Sequence, residues 1–271
     1  MRTPAQITFD PYSGPGQIKA GSMEPDKELD KGYAPEFSTI WGAILAIVVA
    51  YIASTALLLL WIAVSGEVVH SGSLTIGDLI SSSMGTWIGF FGAAVIASRT
   101  RGTHSMRADY GISIRPMVDV PLGIVSGLAL QFLVLPAIYL PLEPLIPHLQ
   151  SKLSGPANYI TSAGHGAGIL AVGLVIVVGA PIVEEIFFRG LLLQSISVKL
   201  ARFGKRRGAI FSVLLSSVAF GIAHVEPLQL LGLTAVGIVL ATLRIKFNRL
   251  GPGMITHATF NFITFAALYH K

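Results

Sequence analysis

The sequence predicts an all-α fold: a polytopic membrane helical bundle of about seven transmembrane helices, with a polar intramembrane cavity open to the cytosol. Three observations carry this. Only 12% of the residues are charged, where a soluble domain has about a quarter, and mean hydropathy is +0.69. Seven apolar runs recur along 271 residues. The Lys and Arg residues gather in alternate connections between those runs, as membrane orientation requires.

Residues 1–37 are polar, rich in Gly, Pro, Asp and Lys, and lack a hydrophobic period, so they read as a disordered tail. Residues 38–271 form the transmembrane helical domain. The chain does not open on a basic n-region and an apolar h-region, so targeting is expected to fall to the first span. Crossing the hydrocarbon core takes about 20 apolar residues. Residues 40–64, 79–98 and 120–142 meet that requirement. The fourth run, 166 to 186, continues in helical pattern to 198. Residues 208–225, 228–243 and 252–269 follow. Only "HVEP" separates the fifth run from the sixth, which predicts a tight helical hairpin with its turn in a protein-lined cavity. There is no internal repeat.

Cations set the expected orientation. The tail holds four Lys or Arg, and 99–119 holds Arg99, Arg101, Arg107 and Arg115. Lys199, Arg202, Lys205, Arg206 and Arg207 cluster after the fourth run, and Arg244, Lys246 and Arg249 after the sixth. The other connections are almost free of cations, with Lys152 alone in 143–165. The alternation places the N-terminus in the cytoplasm; if the cell is prokaryotic, the membrane is the cytoplasmic one. The net charge of +5 does not point to nucleic acid, because no basic helix interleaves with aromatics. The absence of cysteine excludes disulfides, thiolate catalysis and Cys-based metal sites.

Few ionisable residues interrupt the apolar runs: Glu184, Glu185, Arg189, His224 and His257, with Glu226 at the hairpin turn. An ionisable side chain at membrane depth is a functional signal by default. Glu185 and Arg189 are four apart, on one helical face, and suit a structural ion pair. Glu184 points about 100° away and is not satisfied by that pair. It is either a poised general base or a solvated interfacial charge near Lys199. In "FGIAH", Phe220 and His224 share a face, and the histidine is either structural or catalytic. In "HATFN", His257 and Asn261 share a face and are either oxyanion donors or interhelical glue. Should the three segments meet, Glu184 can draw a proton from water and His224 can hold that water. His257 and Asn261 can then steady a tetrahedral oxyanion.

"EEIFFR", "FGIAH" and "HATFN" fit EExxxR, FxxxH and HxxxN motifs. In this order on membrane helices they resemble the CPBP family of intramembrane glutamate endopeptidases, also called the ABI family. That family includes the type II CAAX prenyl endopeptidases and bacteriocin-processing and self-immunity proteins. The resemblance covers 165–270, and "AP" before the glutamates and "RG" after Arg189 extend it. It implies catalytic roles for Glu184, His224, His257 and Asn261, with Glu185, Arg189 and Phe220 in support. It implies no cofactor, a lipid environment, and a peptide or protein substrate with or without a prenyl group.

Two other readings stay open at this stage. A zinc-dependent variant would use Glu184, His224 and His257 as ligands, although HExxH is absent. A proton-coupled transporter or channel would use the same carboxylate and imidazoles as a relay. One count resists convergence. At ~1.5 Å per residue, His257 lies ~9 Å from the cytosolic end of its helix and His224 ~24 Å from the start of its own.

Overall fold

The computed structural model describes residues 40–66, 75–161 and 168–269. The tail expected over 1–37 lies outside the described residues. Nine helices follow in order among the described residues. They are α1 (Ile40–Ser65), α2 (Ile76–Arg101), α3 (Met106–Tyr110), α4 (Pro116–Leu142), α5 (Leu149–Thr161), α6 (Gly168–Phe203), α7 (Lys205–Ile222), α8 (Leu230–Phe247) and α9 (Gly251–Tyr269). Each of the seven apolar runs is helical over most of its described residues. Five of the nine, α1, α2, α4, α6 and α8, are long and apolar enough to cross a membrane by length and composition. The protein is therefore an integral membrane protein. α7 falls short because it opens on Lys205, Arg206 and Arg207, and α9 carries Thr256, His257, Thr259, Asn261 and Thr264 along its length. The connection expected over 143–165 instead contains α5, a helix with polar residues on one side.

Small residues decide which helices touch. Gly85 and Gly89 of α2 lie against Ser54 and Ala50 of α1, and a Cβ on Gly89 would overlap the Ala50 backbone. Such close approach stabilises helix pairs in lipid, where burying apolar surface gains little. The opposite face of α1 exposes Leu45, Ile52, Leu59 and Val64, as contact with acyl chains requires. Gly123 and Gly127 of α4 admit Ile255 and Thr259 of α9 in the same way.

At the core, a column of rings joins three helices. Phe90 of α2 stacks on Phe187 of α6 at 4.4 Å. Phe187 meets Phe188 edge-on at 5.0 Å, and Phe188 meets Phe220 of α7 edge-on at 5.2 Å. Edge-to-face pairs of this kind add to what area burial gives. Beside the column, Tyr110 of α3 donates its hydroxyl proton to the Ala94 carbonyl at 2.7 Å. Burial, with Asp109 adding to it, pushes this phenol upward, so it stays neutral.

The start of α9 is buried. Leu250 donates its N–H to Gly111 O at 3.0 Å, and a Cβ on Gly251 would strike Asp119 and the Ser113 carbonyl. Arg249 grips Asp119 through Nη2 at 2.5 Å and Nε at 3.2 Å, while the Arg115 N–H reaches the same carboxylate at 2.7 Å. This ion pair, 130 residues apart in sequence, locks the first turn of α9 to the first turn of α4.

The α7–α8 hairpin is sutured from outside. The Tyr139 hydroxyl of α4 donates to Leu228 O at 3.1 Å and accepts the Gly232 N–H at 3.0 Å. Gln229 donates to Leu153 O of α5 at 2.8 Å. Val225 in the turn has φ 55°, left-handed backbone that a β-branched residue adopts only under strain. Relieving it with Val225→Gly is expected to raise the melting temperature in detergent by about 2–4 °C. An unchanged or lower midpoint would show that no strain is stored there.

Candidate active site

The residues of the three motifs converge. Glu184 ends the α-helical turn Ala180–Glu184 of α6, between π-helical stretches at Leu174–Gly179 and Glu185–Leu192. Such stretches are frequent at functional sites because they redirect side chains and free backbone carbonyls. The Oε2 of Glu184 lies 4.0 Å from His224 Nε2 and 3.9 Å from His257 Nε2. Both separations are too long for a direct hydrogen bond and right for one shared water. That oxygen is buried and has no hydrogen-bond partner within the protein.

Backbone and carboxylate neighbours orient both imidazoles. His224 Nδ1 lies 2.8 Å from the Phe220 carbonyl. A carbonyl only accepts, so Nδ1 carries a proton and the ring turns Nε2 toward Glu184. His257 Nδ1 lies 3.2 Å from Glu185 Oε1, which also accepts from Arg189 Nη1 at 2.8 Å. The carboxylate of an arginine pair is an acceptor, so His257 likewise donates from Nδ1. Glu185 therefore does more than pair with Arg189: it aims His257.

Phe220 forms the floor. Its ring meets His224 edge-on at 4.7 Å and His257 at 5.7 Å, and the Arg189 guanidinium sits over it at 4.2 Å. Glu185, Arg189 and His257 are all at least 96% buried, whereas the His224 side chain is 31% exposed. The site is thus closed beneath and open on the His224 side. Asn261 donates Nδ2 to the Ile176 carbonyl at 2.9 Å, so one of its two N–H groups is in use.

The fold brings the two imidazoles together despite their different distances along their helices. Counting along α9 takes its start as a membrane face, but that start is covered by the loop at Gly111–Ile114. His257 is buried, and His224, just past the end of α7, meets it at Glu184.

Sequence reasoning missed Gly253. A Cβ there would come 2.9 Å from Glu185 Oε2, so only glycine lets the carboxylate approach the first turn of α9. The free N–H groups and dipole of that turn favour a negative charge. Gly253→Ala is expected to cost about 1–3 kcal/mol by displacing Glu185, visible as a lower melting temperature. The glycine-flanked proline opening α9 was the only signal in the sequence.

A water-sized gap thus lies among a carboxylate of the membrane-spanning α6 and two imidazoles carried by its neighbours. Residues 166–263 match the family model described as type II CAAX prenyl endopeptidase Rce1-like. A Bacillus subtilis (strain 168) protein described as "Putative membrane peptidase YdiL" is 35% identical over 96 residues, 34% of this chain. The chain spans 36% of that relative's length. No solved structure matches at a significant level. Over residues 166–263, the segment that holds all three motifs, the chain is thus similar to membrane peptidases of the type II CAAX prenyl endopeptidase kind.

Proposed function

We propose that the protein is an intramembrane endopeptidase in which Glu184 activates a water molecule for attack on a peptide carbonyl. The observation that carries this reading is the 3.9–4.0 Å spacing between Glu184 Oε2 and the two imidazole nitrogens. Water placed there gives one proton to Glu184 and is held by His224 Nε2. As its oxygen adds to the carbonyl carbon, the developing oxyanion is met by His257, protonated at Nε2, and by the second N–H of Asn261. The Glu185 carboxylate behind His257, itself fixed by Arg189, holds Nδ1 and so sets the direction of Nε2. Protonated Glu184 then delivers its proton to the leaving amine as the C–N bond breaks.

Substrate and orientation belong to the same proposal. The alternating cations support seven spans, a cytoplasmic N-terminus and a cavity facing the cytosol. An apolar groove of about 740 Å³ runs between α4, α6 and α9 past Pro181, Ile182 and Ala258. It supports a substrate with an apolar portion beside the scissile bond, such as a prenylated C-terminal tail. Quantitative proteomics of membrane peptides with the parent and with Glu184→Gln tests the reading. Cleavage products found only with the parent are expected.

A zinc version draws support from the Nδ1-anchored imidazoles, an arrangement common behind metal ligands. A tetrahedral zinc at about 2.0–2.1 Å from each donor sets those donors about 3.3 Å apart, closer than 3.9–4.0 Å. Stoichiometric zinc, with activity lost to a chelator and restored by the metal, would favour it over the metal-free reading.

A further inference from the structure

The turn of helix that presents Glu184 begins with an exchange of hydrogen-bond register. Ala180 donates its N–H to the Val175 carbonyl, five residues back. In that register the Ile176 carbonyl would take its proton from residue 181, but Pro181 has none. The Ala180 N–H, which an α-helical register would give to Ile176, is engaged at Val175. The donor that does reach the Ile176 carbonyl comes from another helix, Asn261 Nδ2 at 2.9 Å. Four residues earlier on the same face of α9, His257 holds Glu185 at 3.2 Å. α9 therefore grips α6 on both sides of Glu184.

We propose that Pro181 is a positioning residue for Asn261: by withdrawing a backbone donor it leaves the Ile176 carbonyl as a docking point for the asparagine carboxamide. The carboxamide is planar, so fixing one N–H fixes the direction of the other. Docking thus aims the second N–H for use on an oxyanion. The docking stands on the contacts above, and the aiming step also rests on the proposed hydrolytic reading. A proline buried inside a helix usually leaves a carbonyl for water or for a bend to satisfy. Here a side chain from the facing helix takes that place.

The full chain holds three asparagines, Asn158, Asn248 and Asn261. Labelling asparagine with ¹⁵N in detergent micelles therefore gives three carboxamide proton pairs by NMR. The Asn261 pair is the one lost in Asn261→Asp. In the parent this pair is expected to exchange slowly with water. In Pro181→Ala the new N–H at residue 181 takes the Ile176 carbonyl. The Asn261 pair should then shift and exchange at least ~10-fold faster, with no fall in melting temperature. Pro181→Ser supplies the same donor and serves as the second variant if the alanine protein does not fold.

Asn261→Ala should lower the melting temperature by about 2–5 °C in the parent and by less in Pro181→Ala, where the carbonyl is already satisfied. An Asn261 pair equally protected with and without Pro181, or equal losses in both backgrounds, overturns the docking. With a peptide that the parent cleaves, Pro181→Ala should reduce kcat at least ~10-fold with KM nearly unchanged. Full kcat with a released Asn261 overturns the aiming step. A parent with no peptidase activity overturns the hydrolytic reading and leaves the NMR result to stand by itself.

Discussion

Glu184→Gln is expected to abolish peptide cleavage, with kcat falling about 10³–10⁴-fold while the protein stays folded. The substitution keeps the shape of the side chain and removes only its ability to take a proton. Glu184 Oε2 faces both imidazoles at 3.9–4.0 Å and makes no ion pair with Arg189, which is occupied by Glu185. Nothing structural therefore depends on its charge, and the melting temperature should move by no more than a degree or two. That pairing of lost turnover and kept stability separates a general base from a packing residue. A variant that cleaves at the parental rate would remove Glu184 from the chemistry. A membrane scaffold or a proton relay would then become the better account of the same polar cluster.

Arg189→Met is expected to be the most destabilising single change at the site, by about 3–5 kcal/mol, lowering the melting temperature by about 10 °C or more. Methionine fills most of the space and keeps contact with the Phe220 ring, which the guanidinium overlies at 4.2 Å. What it removes is the counter-charge of Glu185, whose carboxylate is fully buried. The penalty arises from an unpaired buried charge, so a second change that removes that charge should recover much of it. The double variant Glu185→Gln, Arg189→Met is accordingly expected to melt well above Arg189→Met alone. Equal melting temperatures would mean that Arg189 contributes packing and not charge. Cleavage should stay impaired in the double variant, because Glu185 also holds His257 Nδ1 at 3.2 Å.

The helices were legible in the sequence wherever burial in lipid forces a long apolar run, and each of the seven such runs is helical over most of its described residues. α5 was not, because Ser151, Lys152, Ser154 and Asn158 break any apolar run and Pro156 lies inside the helix. The polar residues of the site stood out for the same reason that the spans did. A charge in an apolar run is costly, and Glu184, Glu185, Arg189, His224 and His257 are the ones found there. Their mutual contacts were less accessible. The pair of Glu185 with Arg189 follows from helical spacing, while its bond to His257 crosses 72 residues. The π-helical stretches were invisible, since a change of hydrogen-bond register leaves no mark on apolar periodicity. Arg249 read as one of the loop cations, and nothing in the sequence paired it with Asp119, 130 residues away.

Phe90, Phe187, Phe188 and Phe220 interlock α2, α6 and α7 through successive ring contacts of 4.4–5.2 Å. Sliding any one of these helices would break several contacts at once, so that flank resists deformation. The groove where α4 and α9 face α6 is lined by mostly apolar side chains, but its walls are tied by Arg249–Asp119, His257–Glu185 and Asn261–Ile176. A bulky guest would accordingly thread lengthwise along the groove, because wedging its walls apart would break those polar ties.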